Sequence, residues 1–420
     1  MSDLLADISR AAECERKGIF RFLFDVLRVP SVTSSEGALV PVCVSALEDL
    51  GFEVELQHVD SSIVGPHFPF LDQELHLDRR PNIIARLAGT KGRRTLVFNT
   101  HLDVTPAVES SGWRYPPFSP VTKRGRVFGR GAADAKGGMA SIVGALRILK
   151  QLDITLACDL QIQLVIGQET GGVGTISAIL QNPEVDAVIL AKPTSMRIVR
   201  AQSGHLKYSL EVPGKSVLPA VPWEGVSAFD KLIEIYGALE ALSNERNLKV
   251  SSPLFDKWPN KAPFSVGRVR AGDYPFTIPG WAIAEGRFGI LPGELPDNAR
   301  LAVESTLARL ADQDPWMRQH PPVISWTHGM FTSWETKADD PLIGALTSAA
   351  EKVAGRADVT GVTFGSDASH FVNLSGASVA VFGPGDIGEG HSPNESVLAD
   401  DVIEAAKIFA CAVLCWDGVM

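Results

Sequence analysis

The 420-residue chain has little cysteine, only Cys14, Cys43, Cys158, Cys411 and Cys415, and it contains no C-x-x-C and no zinc-finger spacing. That excludes a disulfide framework and a cysteine-built metal knuckle. Cys411 and Cys415 lie four apart in the apolar run IFACAVLCW, on one face of a predicted helix, and read as small core hydrophobes rather than a metal or redox pair. Long apolar runs are missing as well. Nowhere do about 18 apolar residues follow one another, so no membrane-spanning helix is predicted. Basic excess is also absent: 39 Lys+Arg stand against 49 Asp+Glu, a formal charge of −10, with no basic cluster. This argues against nucleic acid or an anionic membrane as the main partner. The start, MSDLLADISRAAECERKG, lacks the charged lead and apolar stretch of a signal peptide, so a cytoplasmic location is expected. Internal repeats and low-complexity segments are not found.

What is present describes a globular protein of two or three domains, 45% hydrophobic and 21% charged. Helical spacing over residues 16–28 and 37–50 precedes a strand, FEVELQHV. PNIIARLAG and RTLVFNTHLDV, parted by a polar turn, are predicted as neighbouring strands. A helix over 137–152, the strands DLQIQLVIG and VDAVILA, a helix over 341–354, the strand SVAVFGPG and a helix over 397–415 complete an alternating pattern. That pattern implies an α/β layer with a mostly parallel sheet. Residues 205–328 differ. Strand, helix, two strands, helix and strand form a split βαβ arrangement, predicted as an α+β domain inserted into a catalytic domain of residues 1–204 and 329–420.

Polar residues cluster at predicted strand ends. LVFNTHLDV places His101 and Asp103 two apart, hence on one strand face, where one can bind a metal and the other can orient its ring. GRGAADAKGG leaves Asp134 at a helix start, either as a simple N-cap or as a carboxylate aimed into a site. GQETGGVGT puts Gln168 and Glu169 beyond a strand exit, and GPGDIGEGHSPNE carries His391 in a glycine-rich loop. The GPG of 383–385 lacks the Lys-Ser/Thr of a phosphate loop and reads as a turn positioning His391, with Asn394 and Glu395 ordering that loop. Trp113 and Phe118 are expected to pack the approach to the GRG segment.

Taken in order, LRVPSVTSSEG, PNIIARL, NTHLDVTP, GWRYPPFSPVTKRGRVFGRGAADAKGGMAS, GGVGT, LPGE and FGPG with HSPNE resemble the dinuclear zinc aminoacylase, acetylornithine deacetylase, succinyl-diaminopimelate desuccinylase and glutamate carboxypeptidase family. The resemblance spans nearly the whole chain. It implies a zinc-peptidase-like α/β catalytic domain interrupted by a ferredoxin-like lid, through which members commonly form homodimers. It also implies that His101 binds one zinc and is oriented by Asp103, that Asp134 bridges two zincs, and that Glu169 and His391 hold the second. Three positions depart from the family pattern. Gln168 stands where a carboxylate general base is usual, Lys192 of LAKPTSM where a carboxylate ligand is usual, and Leu218 where a lid histidine is usual.

These departures have separable consequences. Protonated lysine has no lone pair for a metal, so Lys192 is expected to leave the first zinc position empty and to pair as a cation with Asp134, near His101. One zinc per chain at Asp134, Glu169 and His391 is the resulting expectation. An amide at 168 has no accessible pKa for moving a proton, so Gln168 and Lys192 mark a rebuilt acid/base set, which leaves a reaction other than hydrolysis open. A deprotonated Lys192 acting as base or nucleophile is the competing reading, opposed by the neighbouring carboxylates. His205 or His370 either substitutes for the absent lid histidine or serves as a hinge histidine bonded to backbone. Two functions remain open. One is a metal-dependent enzyme acting on an amide of an N-acyl amino acid, peptide or related metabolite. The other is a catalytically inactive relative that binds or assembles.

Overall fold

The computed structural model describes residues 2–67, 77, 79–92, 94–107 and 112–420, which fall into two compact units. The first comprises Met1–Arg200, Thr336–Thr360 and Ser366–Met420, the second Ala201–Glu335 and Gly361–Gly365. The first opens with α1 (Ser2–Arg28), α2 (Val40–Glu48), β1 (Glu53–Gln57), α3 (Ser61–Val64), β2 (Asn82–Leu87) and β3 (Thr95–His101). Helix α1 begins at Ser2 rather than near residue 16, because Ile8, Ala11, Ala12 and Ile19 extend its buried stripe toward the N-terminus. A hairpin, β4 (Val121–Lys123) and β5 (Arg126–Phe128), follows, then α4 (Gly137–Gln151), β6 (Asp159–Val165), α5 (Val173–Gln181), β7 (Ala187–Leu190) and β8 (Ile198–Gln202).

The second unit contains β9 (Gly204–Pro213), α6 (Ala228–Leu248), β10 (Ser265–Ala271), β11 (Trp281–Ile290), α7 (Pro296–Gln313), β12 (Val323–Phe331) and the short β13 (Trp334–Glu335). Its sheet is antiparallel in the order β10-β11-β9-β12, a ferredoxin-like βαββαβ lid fold. Strict alternation along β9 sends Tyr208, Leu210 and Val212 to one face. There they pack with Leu232 and Ile235 of α6 and Val303 and Leu307 of α7.

The chain then adds α8 (Pro341–Ala354), β14 (Val359–Val362), α9 (Ala368–Leu374), β15 (Ser378–Val381), β16 (Ser396–Leu398) and α10 (Ala399–Asp417). The large mixed sheet runs β1-β2-β6-β3-β7-β15-β8 through the first unit. Its centre, β6, β3, β7 and β15, is parallel, and the flanking pairs are antiparallel. The sequence expectation that β2 and β3 are neighbours is corrected, because β6 pairs with both of them. Leu160 to Val165 are all buried, and a strand buried on both faces takes an interior place with both edges bonded.

Helix α10 packs against α4 and α8, and α1 packs against α4. Phe409 of α10 sits edge-on to Phe98 at 5.2 Å and to Phe382 at 5.6 Å, joining helix layer to sheet. Cys411 is buried and Cys415 partly buried on the same helix. Among the described residues no helix is long and apolar enough to cross a membrane. The parallel centre brings the ends of β3, β6, β7 and β15 to one edge of the sheet, where ligand sites of open α/β sheets form.

Phe409→Ala is expected to cost about 3–5 kcal/mol of stability, read as a lowered urea midpoint with near-native far-UV circular dichroism.

Candidate functional site

His101 closes β3 and is buried. Its Nδ1 lies 2.9 Å from the Asp103 carbonyl oxygen and 3.4 Å from Asp103 Oδ1. The Asp103 carboxylate also accepts from the backbone N–H of Gln168 (3.1 Å), that of Glu169 (3.0 Å) and Thr33 Oγ1 (3.2 Å). Asp103 therefore holds both the His101 ring and the turn after β6. Burial opposes its charge, but His101 and the two backbone donors outweigh burial and keep the carboxyl below its ordinary range.

Asp134 is not a helix N-cap. It sits in the turn Ala132–Lys136 with φ −119° and ψ 94°, ahead of α4, and its bond to Ala135 is cis. The turn is held by Glu395, whose carboxylate accepts from the N–H groups of Gly131 (3.0 Å), Ala133 (2.9 Å) and Asp134 (3.0 Å). Arg130 pairs with Glu395 at 2.8 Å and donates to the His391 carbonyl at 3.3 Å. Pairing of β16 with β5 sets the same two segments in register. The sequence pattern starts the last helix at residue 397, but residues 396–398 form this strand, which joins the Asp134 turn to the His391 loop. Trp113 lies against Arg130, 5.1 Å from its guanidinium carbon to the ring centre.

Lys192 follows β7 and is buried. Its Nζ donates to Asp134 Oδ1, lies 2.8 Å from His101 Nε2 and 3.4 Å from Gln168 Oε1. Gly383 packs on its backbone so tightly that a Cβ there would fall 2.6 Å from the Lys192 carbonyl oxygen. Burial disfavours the ammonium, but the charges of Asp134 and Glu169 exceed that penalty and raise its pKa. His101 Nε2 also lies 3.0 Å from Asp134 Oδ1, so the imidazole and the ammonium share that carboxylate oxygen. Burial and the Lys192 charge oppose a charged imidazole, but the bonds to Asp103 and Asp134 exceed them and push the His101 pKa up to about 10.

On the other side of Asp134, His391 Nε2 stands 3.1 Å from Glu169 Oε1 and 3.8 Å from Asp134 Oδ2. His391 takes φ +60°, a left-handed conformation uncommon for a residue with a Cβ, and its side chain is 54% exposed. The bond to Glu169 raises its pKa against burial. Ligand atoms of His101, Asp134 and Glu169 lie within 4.8 Å of one another, a candidate metal cluster among the described residues.

Sequence reasoning missed Asp367. Its carboxylate is buried, accepts from Thr175 Oγ1 at 2.7 Å, and leaves Oδ1 without a hydrogen-bond partner. A Cβ on Gly172 (φ +81°) would lie 2.2 Å from that oxygen, so the glycine of the GGVG turn is required twice over. The signal available was Asp367 in GSDASHF, whose burial no local pattern reveals. His370 bonds Gly171 O at 2.8 Å. His205 and Leu218 belong to the second unit, where Leu218 is 64% exposed.

A fold with these strand ends defines a metallopeptidase-like class, and the chain belongs to Peptidase family M20/M25/M40, matching it over residues 97–414. It is 28% identical over 356 residues to N-formyl-4-amino-5-aminomethyl-2-methylpyrimidine deformylase of Bacillus subtilis (strain 168), covering 80% of this chain and 83% of that one. It is 28% identical over 357 residues to acetylornithine deacetylase of Aliivibrio fischeri (strain ATCC 700601 / ES114), covering 83% of each. Human carnosine dipeptidase 1 has the same fold, with a TM-score of 0.79 at 18% identity over 99% of this chain and all of that one. A dinuclear metal-binding M20 peptidase of Bacillus subtilis superposes with a TM-score of 0.61 at 16% identity over 97% of this chain and all of that one.

Arg130→Met leaves the buried Glu395 charge with backbone donors only. The expected cost is about 3–5 kcal/mol in thermal or urea unfolding, against less than about 1 kcal/mol for an exposed pair such as Arg28–Asp25.

Proposed function

We propose that the chain is a divergent zinc-dependent enzyme acting on an amide bond of an N-acyl amino acid, a peptide or a related metabolite, with one zinc per chain and an ammonium in place of the other. The observation that carries this reading is the contact of Lys192 Nζ with both His101 Nε2 and Asp134 Oδ1. Asp134, Glu169 and His391, two carboxylates and an imidazole, are the donors that Lys192 leaves to a zinc ion: His391 Nε2 stands 3.1 Å from Glu169 Oε1 and 3.8 Å from Asp134 Oδ2, whereas the cluster that closes within 4.8 Å takes His101 as its imidazole. The position between His101 and Asp134 does not fit a second one, because Lys192 already engages both donor atoms. A zinc ion held by those three donors supplies Lewis acidity toward an amide carbonyl.

The remaining chemistry belongs to the chain's own side chains. Lys192 brings a fixed positive charge where a reacting oxygen gains negative charge, and its bonds hold Asp134 and His101 in place. Gln168 accepts from Lys192 through Oε1, which leaves its Nε2 as a donor. It orients but moves no proton, and the lost general acid–base help is worth roughly 10²–10⁴ in rate. The relatives named as a deformylase and a deacetylase support a small N-acyl group as the part removed. The second unit supports homodimerisation through the lid, since Phe229, Ile233 and Tyr236 form an exposed stripe on α6.

A second reading draws on Gln168: an inactive relative that binds or assembles. The two are separated by metal content and turnover. Protein purified without chelator is expected to carry about one zinc per chain. The double variant Lys192→Glu, Gln168→Glu is expected to rise toward two and to gain about 10²-fold or more in hydrolysis of N-acetyl or N-formyl amino acids. Native protein without zinc overturns the proposal, and zinc-loaded protein inert toward every such amide favours the second reading.

A further inference from the structure

The turn that presents Glu169 is held from three directions. Asp103 accepts from the N–H groups of Gln168 and Glu169 at its start. Asn82 holds its end, donating through Nδ2 to the Gly174 carbonyl at 2.8 Å and accepting from the Ile166 N–H at 3.1 Å. The start of α9 closes the third side. There Asp367 takes the Thr175 hydroxyl at 2.7 Å, and His370 Nε2 lies 2.8 Å from the Gly171 carbonyl oxygen. Asn99 Nδ2 stands 3.5 Å from the Thr175 oxygen and can only donate, so the single hydroxyl proton points at Asp367.

Asp103 and Asn82 have their side-chain oxygens engaged. Asp367 differs, because its buried Oδ1 has no hydrogen-bond partner. A charged acceptor left unpaired in the interior weakens the fold. Burial pushes the Asp367 pKa up, against the pull of His370, Thr175, His101 and Lys192. Bracing alone does not call for this charge. The neutral amide of Asn82 does that work on the same turn, and an amide at 367 could accept the Thr175 hydroxyl equally well.

The charge meets a different need. Lys192 pairs with Asp134, and Asp367 acts on the same ammonium from farther off. The carboxylates of Asp134, Glu169 and Asp367, less that one ammonium, leave two negative charges beside a neutral His391 ligand, and a zinc ion brings two positive ones.

We propose that Asp367 is a positioning residue for zinc: it braces the Glu169 turn through Thr175 and supplies, from outside the ligand set, a negative charge the ion needs, at a cost in fold stability. This role rests on the zinc reading proposed above. Charge carries over such a distance because the interior screens it weakly.

The test uses the full chain, stripped of metal and titrated with zinc alone against a chromophoric chelator. Melting temperature is read on the metal-free protein, because bound zinc shifts it. Asp367→Asn keeps the shape and the Thr175 bond and removes only the charge. It is expected to weaken zinc binding about tenfold or more and to melt at or above the native temperature. Thr175→Val removes the brace. It is expected to weaken zinc binding similarly and to speed amide hydrogen exchange across residues 168–175 about tenfold, whereas Thr175→Ser retains native values of both. Native zinc affinity in Asp367→Asn overturns the proposal and leaves the zinc reading intact. Weakened binding together with a lower melting temperature also overturns it, because loss of fold then accounts for both. A native protein without zinc affinity overturns the zinc reading and with it the charge role, and native exchange in Thr175→Val then overturns the brace as well.

Discussion

The first unit's site is organised around the ammonium of Lys192, buried between Asp134 and His101. A charge taken out of water costs several kcal/mol unless partners replace its hydration. The replacement here is specific: Asp134 Oδ1, His101 Nε2 and Gln168 Oε1 converge on one nitrogen. Each partner is then fixed by a further contact. His101 is oriented by Asp103, Gln168 by its backbone bond to the same carboxylate, and Asp134 by the bond of its N–H to Glu395. Removing the positive charge would leave Asp134, Glu169 and Asp367 repelling one another in a poorly hydrated space.

Two carboxylates outside the candidate ligand set do much of the positioning. Asp103 joins β3 to the turn after β6, and Glu395 with Arg130 joins the Asp134 turn to the His391 loop. Such outer contacts decide where ligand atoms point, and their loss commonly weakens metal affinity tenfold or more. The parallel centre of the sheet supplies the coarse arrangement by ending β3, β6, β7 and β15 at one edge. The loops then refine it, partly through uncommon backbone geometry such as the left-handed His391.

Much of this is legible in the sequence where a local rule governs the outcome. His101 and Asp103 share a face because strands repeat every two residues, and the βαββαβ order of the lid is visible in alternating periodicities. Lys192 and Gln168 stand out because motifs on either side fix their places. What stays hidden depends on partners distant in the chain. The insertion of β6 between β2 and β3 is decided by burial on both faces. Asp367 and Arg130 look like ordinary polar residues until the fold buries them. Strand β16 is three residues long, too short to separate by pattern from the helix that follows it.

Anomalous diffraction at the zinc edge from crystals of native protein tests the central claim most directly. The expected map has one peak, among Asp134, Glu169 and His391, with the Lys192 side chain in continuous density between His101 and Asp134. A second peak at His101, with Lys192 turned away from Asp134, would contradict it and restore a dinuclear centre.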